Sequence, residues 1–154
     1  MSDPNSPEAV EVRKNQEDPL VMYLVVRESL GMGMGKTAAQ CAHAAQALTI
    51  KFWEIDEIER ERVKTTHSTN NNNQAMLELF GKWLNSSYRK VVLKANENEW
   101  KKLKAWAKTS DHQHVIIVDA GLTEIAPNSE TVIGVFPLYR STAPRELAKL
   151  QTLK

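Results

Sequence analysis

Four short runs rich in apolar and β-branched residues punctuate the chain: 21–27 (VMYLVVR), 90–95 (KVVLKA), 114–120 (HVIIVDA) and 131–137 (TVIGVFP). Runs this apolar suit strands covered on both faces. Helical patterns separate them. Residues 36–53 are dense in helix formers, and their alanines allow close approach to a sheet. In residues 74–84, Met76, Leu77, Phe80 and Leu84 recur at helical spacing. Asn96 with Glu99 three residues on opens a third helix to about Lys108, with Trp100, Leu103 and Ala107 as its buried stripe. A last short helix is expected to begin near 141–144, with Pro144 in its first turn.

The order β-α-α-β-α-β-β-α predicts an α/β fold. Right-handed crossovers place the first three strands parallel in one sheet with helices on both faces. The short link before the fourth strand returns it antiparallel. The expectation is a three-layer α/β/α domain over residues 20–154, with a mixed, mostly parallel four-stranded sheet. Residues 1–19, rich in Pro, Glu, Asn and Asp, read as a disordered leader, and 55–73 as an expanded polar loop region ending in TTHSTNNNN.

At 154 residues the chain suffices for one domain with its own core. A formal net charge of +1 leaves any nucleic-acid contact to a local patch. Lys101, Lys104 and Lys108 on the third helix, with Lys94 nearby, form the candidate stripe. No run reaches the roughly 20 apolar residues of a membrane span. The single cysteine, Cys41, cannot form an intrachain disulfide and reads as a small buried side chain. The expected setting is cytoplasmic, with no membrane partner.

Chemistry concentrates in two segments. The first strand runs into Gly31-Met32-Gly33-Met34-Gly35-Lys36-Thr37 and then a helix, a pattern that favours anions through free backbone N–H groups and the helix dipole. A nucleotide P-loop needs glycine where Leu30 stands, and the dinucleotide fingerprint needs it where Lys36 stands. Neither fits. On the following helix Lys36, Gln40 and His43 share one polar stripe, offset by about 40° and about −20° from the lysine. The second segment begins where the third strand ends in Asp119-Ala120-Gly121 and continues through hydroxyl-rich irregular chain to Thr131. Parallel first and third strands would end on one sheet edge, where open α/β sheets bind ligands, so Lys36 and Asp119 are expected to converge.

Together, Tyr23-Leu-Val-Val-Arg27 with Met32-Gly-Met-Gly-Lys36-Thr-Ala-Ala-Gln40-Cys-Ala-His43, and Asp119-Ala-Gly-Leu-Thr123-Glu-Ile-Ala-Pro127-Asn-Ser-Glu-Thr131-Val-Ile-Gly134, resemble the type 2 peptidyl-tRNA hydrolases of archaea and eukaryotes. Residues 90–95 match the intervening strand, and the likeness spans about residues 21–134. The resemblance implies a mixed sheet between helices and hydrolysis of the ester joining a peptide to the tRNA 3′ ribose. It implies no cofactor and no metal. Catalytic residues carried over are Lys36, Asp119, Thr123 and Thr131. Gly33, Gly35, Gln40, His43 and Lys94 are expected at the substrate. Asp119 would orient or deprotonate a water, and Lys36 would stabilise an oxyanion or hold a terminal phosphate. Peptidyl-tRNA is the expected partner, and a homodimer is expected because family members often pair.

The chain departs from the family at several points. Met34 and Leu122 stand where many members carry basic residues, and Asn128 replaces a frequent glycine. The residues after Gly134 lack the usual glycine-proline run. These departures leave one alternative, a catalytically silent relative that binds RNA or protein.

Overall fold

The chain is arranged about one strand, β1 (Leu20–Arg27), which is buried on both faces. The computed structural model describes residues 3–121 and 124–154. In chain order the other elements are α1 (Pro7–Glu17), ahead of β1, then α2 (Met34–Thr66), α3 (Asn71–Leu84), β2 (Lys90–Ala95), α4 (Glu97–Thr109), β3 (His114–Val118), β4 (Glu130–Tyr139), α5 (Arg145–Ala148) and β5 (Gln151–Thr152). Alternate residues of β1 feed two cores. Met22, Leu24 and Val26 pack with Ala44 and Leu48 of α2 and Phe80 of α3. Val21, Tyr23 and Val25 pack with Trp100 and Leu103 of α4 and Leu147 of α5. The period-2 alternation of a strand thus makes three layers, helix on sheet on helix.

The sheet is α/β and mixed, but it has five strands, in the order β3-β4-β1-β2-β5. Of its pairings only β1 with β2 is parallel; β4 pairs antiparallel with both β1 and β3, and β5 antiparallel with β2. The expected mostly parallel sheet of four strands is corrected accordingly. The fifth strand is two residues long, too short to carry a periodic signal. Strand β4 is interior, between β3 and β1, and Thr131–Leu138 is buried throughout. Directions nevertheless follow the expectation. Two successive antiparallel pairings make β3 run the same way as β1, so β1, β2 and β3 end on one edge and β4 begins there.

Two segments differ from their sequence reading. The supposed disordered leader is helical over Pro7–Glu17, begun by Ser6, whose hydroxyl accepts from the Ala9 N–H, and by proline at the first helical position. The supposed loop at 55–73 is mostly helix. Helix α2 continues to Thr66, 33 residues in all and about 50 Å long, and only His67–Asn70 remain between it and α3. The cause is a buried acid. Glu59, 2% exposed, accepts from the Asn70 N–H at 2.9 Å and the Asn73 side chain at 2.7 Å, pinning the start of α3 against α2. These bonds hold its carboxyl below the usual range, the Asn70 N–H foremost. Asn70 itself caps α3 by accepting from the Asn73 N–H.

The alanines of α2 bring it close to the sheet. A Cβ at Gly134 would stand 3.0 Å from Leu48 Cδ1 and 3.3 Å from the Ala44 Cβ, so that glycine in β4 lets the helix sit down. Asn96 and Glu99 form the expected capping box of α4.

Candidate active site

Helix α2 starts at the C-terminal edge of the sheet, with Gly33 as its N-cap and Lys36 in its first turn. At the same edge β3 ends one residue before Asp119. The two loops meet there: Lys36 Nζ donates to Asp119 Oδ1 at 2.5 Å. Both side chains are largely withdrawn from solvent, at 13% and 8% exposed. Gln40, one turn further along α2, donates through Nε2 to the same carboxylate oxygen at 3.1 Å. The Gly121 N–H donates to Oδ2 at 2.7 Å.

Behind this pair lies a second tier. The Thr131 hydroxyl, fully buried at the start of β4, donates to Gln40 Oε1 at 2.6 Å. The Ile117 carbonyl at 3.3 Å is the longer alternative for the same proton. Gln40 is 4% exposed, and its amide is engaged at both ends. The order Thr131, Gln40, Asp119, Lys36 is therefore a hydrogen-bonded chain that runs from the protein interior to the sheet edge. It fixes which end of the Gln40 amide faces the carboxylate.

The loop after β3 is shaped by backbone demands. Gly121 has φ 71°, and a Cβ there would stand 2.3 Å from Pro127 Cα. Asn128, at φ 63°, adopts the left-handed conformation that asparagine tolerates in place of glycine. The Asn128 N–H donates to the Asp119 carbonyl and the Asp119 N–H to that of Ser129, closing the loop on itself.

Asp119 is held below the ordinary carboxylate range. The Lys36 hydrogen bond is the main cause, opposed by burial and seconded by the Gly121 N–H and the Gln40 amide. A lowered folded-state value means that the stability contributed by this carboxylate is present above its unfolded value and is lost as pH falls through the folded one. The acid limb of activity due to Asp119 should consequently lie below about pH 3.9, the unperturbed value. Replacing Gln40 by Leu removes one donor to the charged form. That limb should then move to higher pH in a kcat/KM profile; an unmoved limb would deny Gln40 its part.

The remaining sequence candidates fall at different distances from this centre. Gly33 and Gly35 lie at the start of α2, and no described residue comes within 4 Å of a Cβ placed at Gly35. His43 is exposed two turns beyond Lys36 on α2. Lys94, near the end of β2, lies 3.9 Å from Glu28, and among the described residues nothing joins it to the Lys36–Asp119 pair. Thr123 lies outside the described residues. In the α4 stripe Lys104 is paired with Glu130 at 2.6 Å, while Lys101 and Lys108 are exposed. Trp83 and Trp100 are core residues, whereas Trp53 is 62% exposed. Cys41 is buried, and burial pushes its thiol up, which disfavours the nucleophilic thiolate.

Two features of the edge escaped the sequence reading. The Gly33 N–H donates to both carboxylate oxygens of Glu124, at 3.1 and 3.3 Å. The preference of helix N-termini for carboxylates was the available signal, but it names no partner 91 residues away. Arg27 donates two bonds to Glu97, at 2.7 and 3.0 Å, and Ser29 also bonds this acid. Arg27 holds the Glu97 carboxyl down at about 2. This pair ties the end of β1 to α4.

An α/β sheet whose edge carries a carboxylate oriented by an ammonium and an amide is a framework suited to acid–base chemistry on an ester or amide. The comparisons with known proteins narrow the class. The model of the family described as Peptidyl-tRNA hydrolase PTH2 matches residues 20–153. A peptidyl-tRNA hydrolase of Saccharolobus islandicus is 35% identical over 117 residues, 75% of this chain and 84% of that protein. One of Thermoplasma acidophilum is 31% identical over 117 residues, 75% and 83% of the two chains. The human protein named peptidyl-tRNA hydrolase 2, mitochondrial, is 38% identical over 117 residues, 75% of this chain and 54% of its own length. The chain belongs to the peptidyl-tRNA hydrolase PTH2 family. No helix among the described residues is long and apolar enough to cross a membrane.

Proposed function

We propose that the chain hydrolyses the ester between peptide and tRNA in peptidyl-tRNA, releasing free tRNA, with Asp119 and Lys36 at the reacting atoms. The single observation that carries the assignment of residues is the 2.5 Å contact between Lys36 and Asp119, at the edge where the two family blocks meet. A carboxylate offers about four lone-pair positions, two on each oxygen. On Asp119 Lys36 and Gln40 use the two on Oδ1, and Gly121 uses one on Oδ2. Among the described residues nothing fills the remaining position on Oδ2, which is proposed to take the hydrogen of a water. Because its pKa is depressed, Asp119 orients that water and takes its proton only as attack proceeds.

Lys36 carries three N–H donors, of which one is spent on Asp119. The others can meet negative charge as it grows on the ester carbonyl oxygen. As the proton passes to Asp119, the carboxylate weakens as an acceptor and Lys36 shifts towards the oxyanion. Attack of the water oxygen forms a tetrahedral intermediate, and its collapse breaks the bond to the ribose 3′ oxygen, which takes the proton back from Asp119 and restores the carboxylate. The products are a peptide acid and tRNA with its hydroxyl restored.

In this reading Thr131 and Gln40 are positioning residues. Both are buried, so they act through Asp119 and not by touching substrate. The N–H groups of Gly35 and Lys36 in the first turn of α2, which have no partner among the described residues, suit a terminal phosphate. Gly33, whose N–H is held by Glu124, shapes the mouth. His43 and Lys94 are proposed to contact the RNA further out. Thr123 keeps the role that the resemblance implies, a hydrogen-bonding group at the cleft.

A cleavage assay with N-acetylaminoacyl-tRNA, run beside a binding measurement with uncharged tRNA, tests the proposal. Turnover by the purified chain supports it. Saturable tRNA binding with no turnover would instead establish a silent binding module. The setting proposed is cytoplasmic, although the human relative is named mitochondrial; co-localisation with a mitochondrial marker would overturn this. The assembly proposed is a homodimer, which a monomeric mass by light scattering would refute.

A further inference from the structure

Helix α4, 13 residues long, packs on one sheet face through Trp100 and Leu103, but α5, on the same face, has only four residues. One turn of helix leaves the sheet beside it, over the starts of β1 and β2, partly uncovered. A trough of about 390 Å³ remains there, with Val21, Val91 and Leu147 among its apolar walls. Tyr23, Arg89 and Arg140 are among its polar groups, with Thr152 at the short strand β5.

These polar groups lack partners. Tyr23 is 7% exposed, and among the described residues its hydroxyl makes no hydrogen bond, although it lines the trough. Since no buried side-chain polar atom is left unpaired among the described residues, this hydroxyl opens into the trough, where water or a ligand atom can accept from it. Neither guanidinium pairs with a carboxylate among the described residues. The nearby acid, Asp18, keeps its charge and accepts from the Ser141 N–H at 2.8 Å and the Ser141 hydroxyl at 2.6 Å, without a direct bond to either guanidinium, so the corner carries two cations against one anion. Burial raises the Tyr23 phenol, which keeps it a neutral donor. Two cations and one O–H donor over an apolar floor form the complement of an anionic head on an apolar body.

The site is separate from the catalytic edge. Both lie along β1, but Val21 and Tyr23 are near its start, and the strand extends about 3.3 Å per residue towards Arg27 at the other end. We propose that this trough is a second ligand site, taking a small aliphatic carboxylic acid, with the carboxylate between Arg89 and Arg140 and the chain along the sheet face. The Tyr23 hydroxyl donates to the carboxylate, and its ring continues the apolar wall.

Calorimetric titration of the whole chain with sodium octanoate tests this and reads binding, not turnover. Saturable binding at millimolar concentration or below is expected, with no comparable binding of octylammonium. Arg89→Gln and Arg140→Gln should each weaken octanoate binding about tenfold, the loss expected for one charge-assisted hydrogen bond. Tyr23→Phe should weaken it several-fold while circular dichroism shows an unchanged fold. Absence of saturable binding, equal binding of octylammonium, or undiminished affinity in an Arg89→Gln/Arg140→Gln double variant would overturn the proposal. N-acetylleucine binding more tightly than octanoate would overturn the aliphatic acid in favour of a peptide C-terminus.

Discussion

Asp119→Asn is expected to slow cleavage of peptidyl-tRNA by about 10²- to 10⁴-fold, the range of a lost acid–base group, while leaving the fold intact. The substitution keeps the shape of the side chain but removes one acceptor. The amide oxygen can still receive Lys36 and Gln40, as Oδ1 does now. The amide nitrogen then stands where Oδ2 stood, facing the Gly121 N–H with a donor of its own. The position that would hold the water loses its acceptor and gains a repulsive neighbour. Single-turnover kinetics with circular dichroism alongside would separate chemistry from folding. A folded variant that cleaves at the rate of the unaltered chain would remove Asp119 from the mechanism.

Gly121→Ala should damage both stability and activity. Its backbone sits at φ 71°, where a side chain is strained, and the new Cβ would come within 2.3 Å of Pro127 Cα and 2.4 Å of Pro127 N. Backbone atoms cannot yield as a flexible side chain would, so the turn must open. Opening costs about 1–3 kcal/mol in strain or lost contacts, enough to lower the melting temperature by several degrees. It also withdraws the Gly121 N–H from Oδ2 and the Asn128 N–H from the Asp119 carbonyl. Loss of kcat should therefore accompany the loss of melting temperature. Gly81→Ala serves as the control, because Gly81 lies within α3 with nothing within 4 Å of an added Cβ. That change should stabilise the helix by up to about 1 kcal/mol and leave turnover alone. Equal stability of Gly121→Ala and the unaltered chain would show that the turn does not constrain the site.

The convergence of Lys36 and Asp119 was legible because strand direction is a topological matter. Right-handed crossovers orient β1 and β3 alike, whichever strand lies between them. The position of β4 between them was not legible, since nothing local in TVIGVFP distinguishes an interior strand from an edge one. Asn96 and Glu99 announced α4 because a capping box is a local pattern, three residues wide. Glu59 gave no such notice. In a run of acids and bases it resembles a solvated face, and only the fold shows it buried against Asn70 and Asn73. For the same reason the local pattern ends α2 near Trp53, whereas the helix continues to Thr66.

Within the site, residue types were readable but depth was not. Lys36 and Gln40 share a helix stripe by arithmetic alone. Whether Thr131 faces substrate or the interior depends on the phase of β4, which a single register step would reverse. The structure places it inside, against Gln40. The Glu124 contact with Gly33 joins two loops distant in sequence and has no periodicity to betray it.

Coupling between the ammonium and the carboxylate is the most direct test of the account. Lys36→Met, Asp119→Asn and the double variant would be compared with the unaltered chain in single-turnover cleavage of the same N-acetylaminoacyl-tRNA. Residues that act as one unit are strongly non-additive, so the double variant should be no slower than the slower single variant. A double variant slowed by the full product of the two single effects would mean that Lys36 and Asp119 act independently, contradicting the shared centre.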